Sequence, residues 1–142
     1  MRRGERVDLL WVEDDLTDRE LILRVLRETA PALHICTASD GREALAWLEP
    51  QNASLPRAVL LDLNLPDMSG IEVLRHIRGQ PHTRTLPVVV FTGSANPHDI
   101  AACYRAGANS YVVKPAEFGD YQKVFFQVAT YWVRHNQGSW PF

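Results

Sequence analysis

Side chains able to do chemistry follow four of the apolar runs in this sequence. An acidic group at 13–15 (Glu-Asp-Asp) follows the first run, Asp62 follows a later one, and Thr92 and Lys114 end two more. An unpaired carboxylate inside a buried strand costs several kcal/mol. We therefore expect Asp62 to lie at the mouth of its strand, where ligands bind in open α/β sheets.

The residue types at these four positions favour one kind of chemistry. Clustered carboxylates raise one another's pKa unless a cation lies among them, and an all-oxygen ligand set suits Mg²⁺. A carboxylate beside such a cation can attack phosphorus and form an acyl phosphate. The hydroxyl of Thr92 and the ammonium of Lys114 then neutralise charge on the phosphoryl oxygens.

Each of these residues also has an ordinary structural interpretation. Asp15 and Asp18 suit the N-terminus of a helix, where they complement the helix dipole. Thr92 taken alone is a common strand residue, and Lys114 a common surface residue. The sequence has 15 cationic residues, of which only Lys114 and Lys123 are lysines. Because arginine is the usual cation of this chain, the lysine at position 114 indicates a specific need for a compact charge there.

The elements that must position these residues alternate between apolar runs and helical patterns along the whole chain. This alternation predicts a parallel sheet covered by helices. Right-handed crossovers bring the C-terminal ends of all its strands to one edge, so the four groups are expected to meet there. The predicted strands span 7–12, 33–37, 58–62, 87–92 and 110–113, and the predicted helices 17–29, 40–48, 70–77, 97–105 and 117–135, with Gly107 as a C-cap.

The composition predicts a single domain of ordinary type. The chain has 142 residues, is 46% hydrophobic and 23% charged, and carries a net charge of -2. These values give no electrostatic reason to expect nucleic acid or a membrane as a partner, and no apolar stretch approaches the roughly 20 residues of a spanning helix. Cys36 and Cys103 lack metal spacing and are expected to be buried thiols. We expect a cytoplasmic location.

Four stretches of sequence together resemble the receiver domain of the two-component response regulator family. They are LLWVEDD, AVLLDLNLPDMSG, VVVFTGS and GANSYVVKP. The resemblance covers 7–133 and implies a flavodoxin-like α/β fold, a doubly wound five-stranded parallel sheet in the order 2-1-3-4-5 with helices on both faces. It implies a receiver domain over 1–135, a short tail over 136–142 and no output domain. The chain most resembles small regulators paired with phytochrome-type sensor kinases.

The resemblance implies a role for each residue that could contact a phosphoryl group. Asp62 would accept the phosphoryl group from a phosphohistidine of a sensor histidine kinase. Thr92 would hydrogen-bond one phosphoryl oxygen, and Lys114 would pair with another. Gly93 matches a position where a small residue leaves the phosphate approachable. The protein would then be a signalling domain that assists its own phosphotransfer, not an enzyme in the usual sense.

The resemblance also implies a Mg²⁺ site. Asp14 and Asp62 would bind the metal directly, with help from the backbone carbonyl of Asn64. Glu13 would hold the metal through water. Asp15 follows the acidic pair and would not be a ligand.

A conformational switch is implied by the added charge of a phosphoryl group. Thr92 and Lys114 would be drawn toward it, and Tyr111 matches an aromatic position that turns inward in relatives when the threonine moves. The face formed by the strand 110–113 and its flanking helices, 97–105 and 117–135, would then repack. The alternative for Tyr111 is a half-buried aromatic residue on an edge strand.

The last helix carries two apolar stripes at helical spacing. We expect the first to cover the sheet; it comprises Tyr121, Val124, Phe125, Val128 and Trp132. The second, comprising Phe126, Ala129 and Val133, predicts an exposed face and a homodimer through this helix and the fifth strand. In the alternative, the second stripe packs against the fourth helix or the tail.

Three other functions are less compatible with this sequence. A phosphatase or phosphotransferase using an aspartyl phosphate places an acid/base carboxylate two residues after the nucleophile, where this chain has Asn64. A flavin-binding electron carrier of the same fold needs a phosphate loop after the first strand, where this chain has repelling carboxylates. A receiver that binds partners without phosphorylation would not need the whole residue set that is present here.

Overall fold

The computed structural model describes residues 7–50 and 54–138, which form a five-stranded parallel sheet with helices on both faces. The strand order is β2-β1-β3-β4-β5, as predicted. The strands are β1 (Leu9–Val12), β2 (Ile35–Ala38), β3 (Ala58–Leu61), β4 (Val88–Thr92) and β5 (Ser110–Val113). The helices are α1 (Leu16–Thr29), α2 (Gly41–Trp47), α3 (Gly70–Gly79), α4 (Pro97–Arg105) and α5 (Phe118–Thr130), and a π-helical turn (Tyr131–His135) continues α5.

The central strands are buried on both sides, which explains their continuous apolar sequences. Along β1, Leu9 and Trp11 pack into one core with α1 and α5, whereas Leu10 and Val12 pack into another with α2 and α3. A smaller group around Cys103 lies beneath α4. Both cysteines are buried free thiols, as predicted.

The first turns of the helices are stabilised by side chains that accept backbone hydrogen bonds. The capping residues are Asp15 for α1, Asp40 for α2, Ser69 for α3, Asn96 for α4 and Glu117 for α5. Asp15 therefore has the ordinary structural role considered above, since it accepts the Asp18 amide at 3.1 Å. Gly107 follows α4 with a φ of 107°, a conformation that favours glycine. Its prediction as a C-cap is confirmed.

The predicted exposed stripe on the last helix was wrong for two of its three residues. Ala129 and Val133 are buried in the same core as Tyr121 and Phe125, and only Phe126, at 43% exposure, remains at the surface. The residues that face the sheet therefore repeat every four positions. The π-helical turn maintains this spacing, because its wider winding, seen in the hydrogen bond from the Asn136 amide to the Tyr131 carbonyl, brings Val133 back toward the sheet.

The remaining differences from prediction are small. Strand β2 begins and ends later than predicted because its pairing with β1 joins Leu9 to Ile35 and Val12 to Ala38. Of the predicted tail, residues 136–138 follow the π-helical turn, and the rest lies outside the described residues. Within the described ranges, no helix has the length and apolar character needed to cross a membrane.

Candidate functional site

The C-terminal ends of β1, β3, β4 and β5 lie side by side and carry the predicted site residues. The Asp62 amide donates to the carbonyl of Val12 at 3.1 Å, which places Asp62 beside the residues that follow β1. The Lys114 amide donates to the carbonyl of Thr92 at 2.7 Å, which places Lys114 at the end of β4. The parallel register therefore brings the four groups to one edge, as expected from the crossovers.

Lys114 joins two of the buried carboxylates. Its Nζ donates to Glu13 Oε1 at 2.5 Å and to Asp62 Oδ2 at 2.9 Å. Glu13 is 1% exposed and Asp62 6% exposed, so both contacts lie largely out of water. The ammonium also lies 5.9 Å from the centre of the Phe91 ring. One lysine therefore offsets charge on two carboxylates from different strands.

The ionisation of this pair follows from its burial. Burial raises the pKa of Glu13, and the hydrogen bond from Lys114 opposes that effect without cancelling it. Burial alone would lower the pKa of Lys114, but its hydrogen bonds to Glu13 and Asp62 raise it overall. The lysine is therefore held in its charged form, ready to pair with a further anion.

Glu13, Asp14 and Asp62 form a set of oxygen donors suited to a hard cation. One carboxylate oxygen of each residue lies within 4.8 Å of the others, and Asp14 is exposed whereas the other two are buried. Three carboxylates with one lysine leave excess negative charge, which a divalent ion would offset. Oxygen donors at this number fit Mg²⁺, which keeps several waters. The residues present therefore fit the predicted metal.

Thr92 brings a buried hydroxyl to the same edge. The side chain is fully buried, and its Oγ1 has no hydrogen-bond partner within the described part of the chain. Buried hydroxyls are nearly always paired, so this hydroxyl is available to a water or to a ligand. The next residue, Gly93, is exposed, and a Cβ there would meet nothing within 4 Å. The path toward Thr92 is open on that side.

The loop after β3 is held by contacts that sequence reasoning missed. Gly70 packs against the backbone of Asp62, where a Cβ would lie 2.3 Å from the Asp62 carbonyl oxygen. Asp67 accepts the amides of Gly41 and Arg42 at 2.8 and 2.9 Å, and the Gly41 bond lowers the pKa of Asp67. The signal was present in the motif, since an aspartate five residues and a glycine eight residues after Asp62 are typical of a constrained turn.

Two further residues near the acidic group were also missed. Arg19 Nη1 donates to the carbonyl of Glu13 at 3.1 Å and to the hydroxyl of Ser39 at 2.9 Å, which holds the main chain after β1. Tyr121 is buried at the start of α5, and its hydroxyl has no partner among the described residues. Nothing in their sequence spacing indicates these contacts, because both residues lie within ordinary amphipathic helices.

Tyr111 connects β5 with the loop after β4. Its hydroxyl donates to the carbonyl of Ser94 at 2.8 Å, two residues after Thr92. The Ser94 hydroxyl donates to Asp99 of α4 at 2.6 Å. A movement of the loop at Thr92 is therefore mechanically linked to both β5 and α4. The switch role of Tyr111 and the metal contact of the Asn64 carbonyl remain predictions.

Comparison with known proteins gives relatives that match nearly the whole chain. The family described as "Response regulator receiver domain" matches residues 9–125. "Probable methanogenesis regulatory protein FilR2" of Methanothrix harundinacea is 37% identical over 136 residues, covering 94% of this chain and 88% of that protein. "Response regulator Rcp1" of Synechocystis sp. is 35% identical over 129 residues, covering 88% of each.

Solved structures agree with this assignment. The phosphorylated cyanobacterial phytochrome response regulator RcpA superposes with a TM-score of 0.84 at 33% identity, covering 94% of this chain and 99% of that one. The Mn²⁺-bound form of Rcp1 superposes with a TM-score of 0.83 at 32% identity, covering 95% and 99%. In fold, in sequence and in the acidic edge of its sheet, this chain belongs to the response regulator receiver domain family of two-component systems.

Proposed function

We propose that this receiver domain accepts a phosphoryl group on Asp62 from a phosphohistidine of a sensor histidine kinase. One observation carries the proposal: Asp62 is one of three convergent carboxylates and accepts a hydrogen bond from Lys114. The unpartnered Thr92 hydroxyl at the same strand edge adds support. A phosphoryl group on Asp62 would give both Lys114 and Thr92 an acceptor.

The transfer is a displacement at phosphorus. A carboxylate oxygen of Asp62 forms the new P–O bond, and the P–N bond of the phosphohistidine breaks, with its electron pair leaving on the imidazole nitrogen. Lys114 donates to one phosphoryl oxygen and the Thr92 hydroxyl to another, which lowers the energy of the charge that spreads over these oxygens in the transition state.

Bound Mg²⁺ would neutralise charge on the phosphoryl oxygens. Asp14 and Asp62 would hold it directly with the Asn64 carbonyl, and Glu13 through water. The convergence of carboxylate oxygens from Asp14 and Asp62 supports their part in this assignment. The Mn²⁺-bound form of Rcp1 supports it independently, since that relative holds a divalent ion.

The output of phosphorylation is a rearrangement of the α4-β5-α5 face. A phosphoryl group adds about −1.5 to −2 units of charge at neutral pH. Lys114 then exchanges a carboxylate partner for a phosphoryl oxygen, and Thr92 moves toward the same group. The Tyr111–Ser94 and Ser94–Asp99 bonds transmit this movement to β5 and α4.

The partners follow from the relatives and from the exposed surface. The likeness to RcpA, a phytochrome response regulator, supports a phytochrome-type histidine kinase in the cytoplasm as the phosphoryl donor.

Tyr104 of α4 and Val113 of β5 are exposed, and they support a homodimer through the α4-β5-α5 face. Sedimentation with and without phosphodonor tests the dimer, and a monomer in both conditions would contradict it.

The central test compares the wild-type protein with Asp62→Asn after incubation with acetyl phosphate and Mg²⁺. Intact-mass measurement is expected to show one phosphoryl adduct on the wild type and none on the variant. The substitution retains side-chain volume and replaces the nucleophilic carboxylate with an amide. An adduct on both proteins would exclude Asp62 as the acceptor.

A further inference from the structure

Tyr121 lies beside the acidic site without a role in the chemistry described above. Its side chain is 4% exposed and belongs to the first turn of α5. Its ring packs edge-on against Phe91, with centres 5.3 Å apart, and stacks with Phe118 at 6.2 Å. Because Lys114 Nζ lies over the same Phe91 ring, Tyr121 is separated from the site lysine by one side chain.

The packing of Tyr121 does not require its hydroxyl. Its oxygen is buried and has no hydrogen-bond partner in the described ranges of the chain. A phenylalanine would make the same ring contacts, and an unsatisfied buried hydroxyl disfavours folding. Buried tyrosine hydroxyls usually find a partner. The atom therefore indicates a partner other than the protein groups described, such as a water.

The charges around this hydroxyl are those of the acidic edge. Burial and then the negative charges of Glu13, Asp18, Asp62 and Asp15, in that order, raise the pKa of Tyr121. The hydroxyl therefore stays protonated at neutral pH and can donate a hydrogen bond. Among these four carboxylates, Glu13 exerts the largest effect.

Glu13 has the capacity to accept another donor. Its Oε1 accepts Lys114, and its Oε2 accepts the Asp15 amide at 3.1 Å. A carboxylate offers about four acceptor positions, so two are still available. Arg19 does not use them, because its guanidinium bonds to the Glu13 carbonyl.

We propose that Tyr121 is a positioning residue of the phosphoacceptor site, whose hydroxyl donates through one bridging water to the Glu13 carboxylate. The inference rests on the proposed function, since it concerns the same site. The hydroxyl orients Glu13 toward a bound divalent ion and limits how far that carboxylate can follow Lys114. A single water can link two buried polar groups at little cost.

The test measures Mn²⁺ affinity, by the electron paramagnetic resonance signal of free ion, in the wild type and in Tyr121→Phe. The variant removes one oxygen and retains the ring. Loss of a residue that orients a direct metal ligand typically weakens binding by about 10–100-fold. Because Glu13 would hold the ion through water, a loss at the lower end, about tenfold, is expected here. Tyr131→Phe is the matched control, because Tyr131 is an exposed tyrosine of the π-helical turn, and its affinity is expected to equal that of the wild type.

A double-mutant cycle separates this role from a structural one. In a Glu13→Gln background, Tyr121→Phe is expected to change Mn²⁺ affinity little, because the group it acts through is already altered. An undiminished effect there would overturn the assignment to Glu13. Wild-type affinity in Tyr121→Phe, with greater resistance to urea in metal-free buffer, would overturn the proposal, since the hydroxyl would then be only an unsatisfied buried group.

The proposed function is tested by the wild-type protein alone. A wild-type protein that takes a phosphoryl group from acetyl phosphate and binds Mn²⁺ supports that function, whatever Tyr121→Phe shows. A wild-type protein that does neither overturns the function and this inference together.

Discussion

The two ends of the sheet pair their polar groups differently: the N-terminal end has a half-buried arginine, and the C-terminal end has buried carboxylates and hydroxyls. At the N-terminal end, Arg78 donates four hydrogen bonds, to the carbonyls of Gly107, Arg84 and Leu86 and to the side chain of Asn109. At the C-terminal end, one lysine serves two carboxylates, and the hydroxyls of Thr92 and Tyr121 have no partner in the described chain.

The difference distinguishes a structural network from a site that awaits a ligand. A network whose polar groups are paired with one another, such as that of Arg78, contributes stability and specifies one arrangement. A set of like charges with unpaired donors contributes little stability, yet it is ready to gain hydrogen bonds when an anion and a cation arrive. Substitutions at the two ends should therefore separate stability from phosphorylation.

The largest expected effect belongs to Lys114→Ala. Removing a preorganised charge from such a site typically slows reaction by about 10²–10³-fold, or about 2.7–4 kcal/mol of barrier. Labelling by acetyl phosphate, followed by intact mass, measures the loss. Lys123→Ala is the matched control, because Lys123 is the other lysine of the chain and is exposed on α5. Labelling of Lys114→Ala at the wild-type rate would remove the lysine from the mechanism.

The next effect is expected at the opposite end. Arg78→Leu leaves three carbonyls and Asn109 without their guanidinium partner and should lower the free energy of unfolding by about 2–4 kcal/mol. Urea unfolding measures this change, with the exposed Arg75→Leu of the same helix as control. The folded variant should still be labelled on Asp62. An Arg78→Leu protein that is as stable as the wild type but is not labelled on Asp62 would contradict the structural role assigned to Arg78.

The smallest expected effect is a gain in stability. Asp14→Asn removes one of the convergent carboxylates and should raise the metal-free free energy of unfolding by about 1 kcal/mol or less, the size of an exposed like-charge contact in water. Added Mg²⁺ should stabilise the wild type against urea by linkage and the variant much less. Glu20→Gln, at an exposed position of α1, controls for net charge. Equal Mg²⁺ stabilisation of both proteins would contradict the role of Asp14.

Most of the fold was predictable because its signals are local or directional. Helix α4 and strand β5 have the predicted bounds, since Pro97 and Gly107 mark the ends of the helix in the sequence itself. The sheet order followed from the family resemblance. The shift of β2 was not predictable, because its limits depend on pairing with β1 and not on its own apolar run.

The exposure of the second stripe on α5 was wrongly predicted for a related reason. The first stripe packs against the sheet as predicted, but periodicity does not show that part of a second stripe reaches the same core. Small Ala129 packs against the sheet beside Phe125, and the π-helical turn then brings Val133 into the same core. Helical periodicity in a sequence shows neither the shape of the sheet surface nor a change from α-helical to π-helical winding.

The sequence by itself determined which chemical groups reach the acidic edge, because strand direction and right-handed crossovers place the ends of parallel strands together whatever the details of packing. Only the tertiary structure decided which of those groups are paired. That Lys114 bridges Glu13 and Asp62, that Asp14 faces solvent, and that Thr92 and Tyr121 retain unpartnered hydroxyls all depend on side-chain contacts between distant segments. Such contacts depend on distances of a few ångströms in three dimensions, which residue type and spacing do not specify.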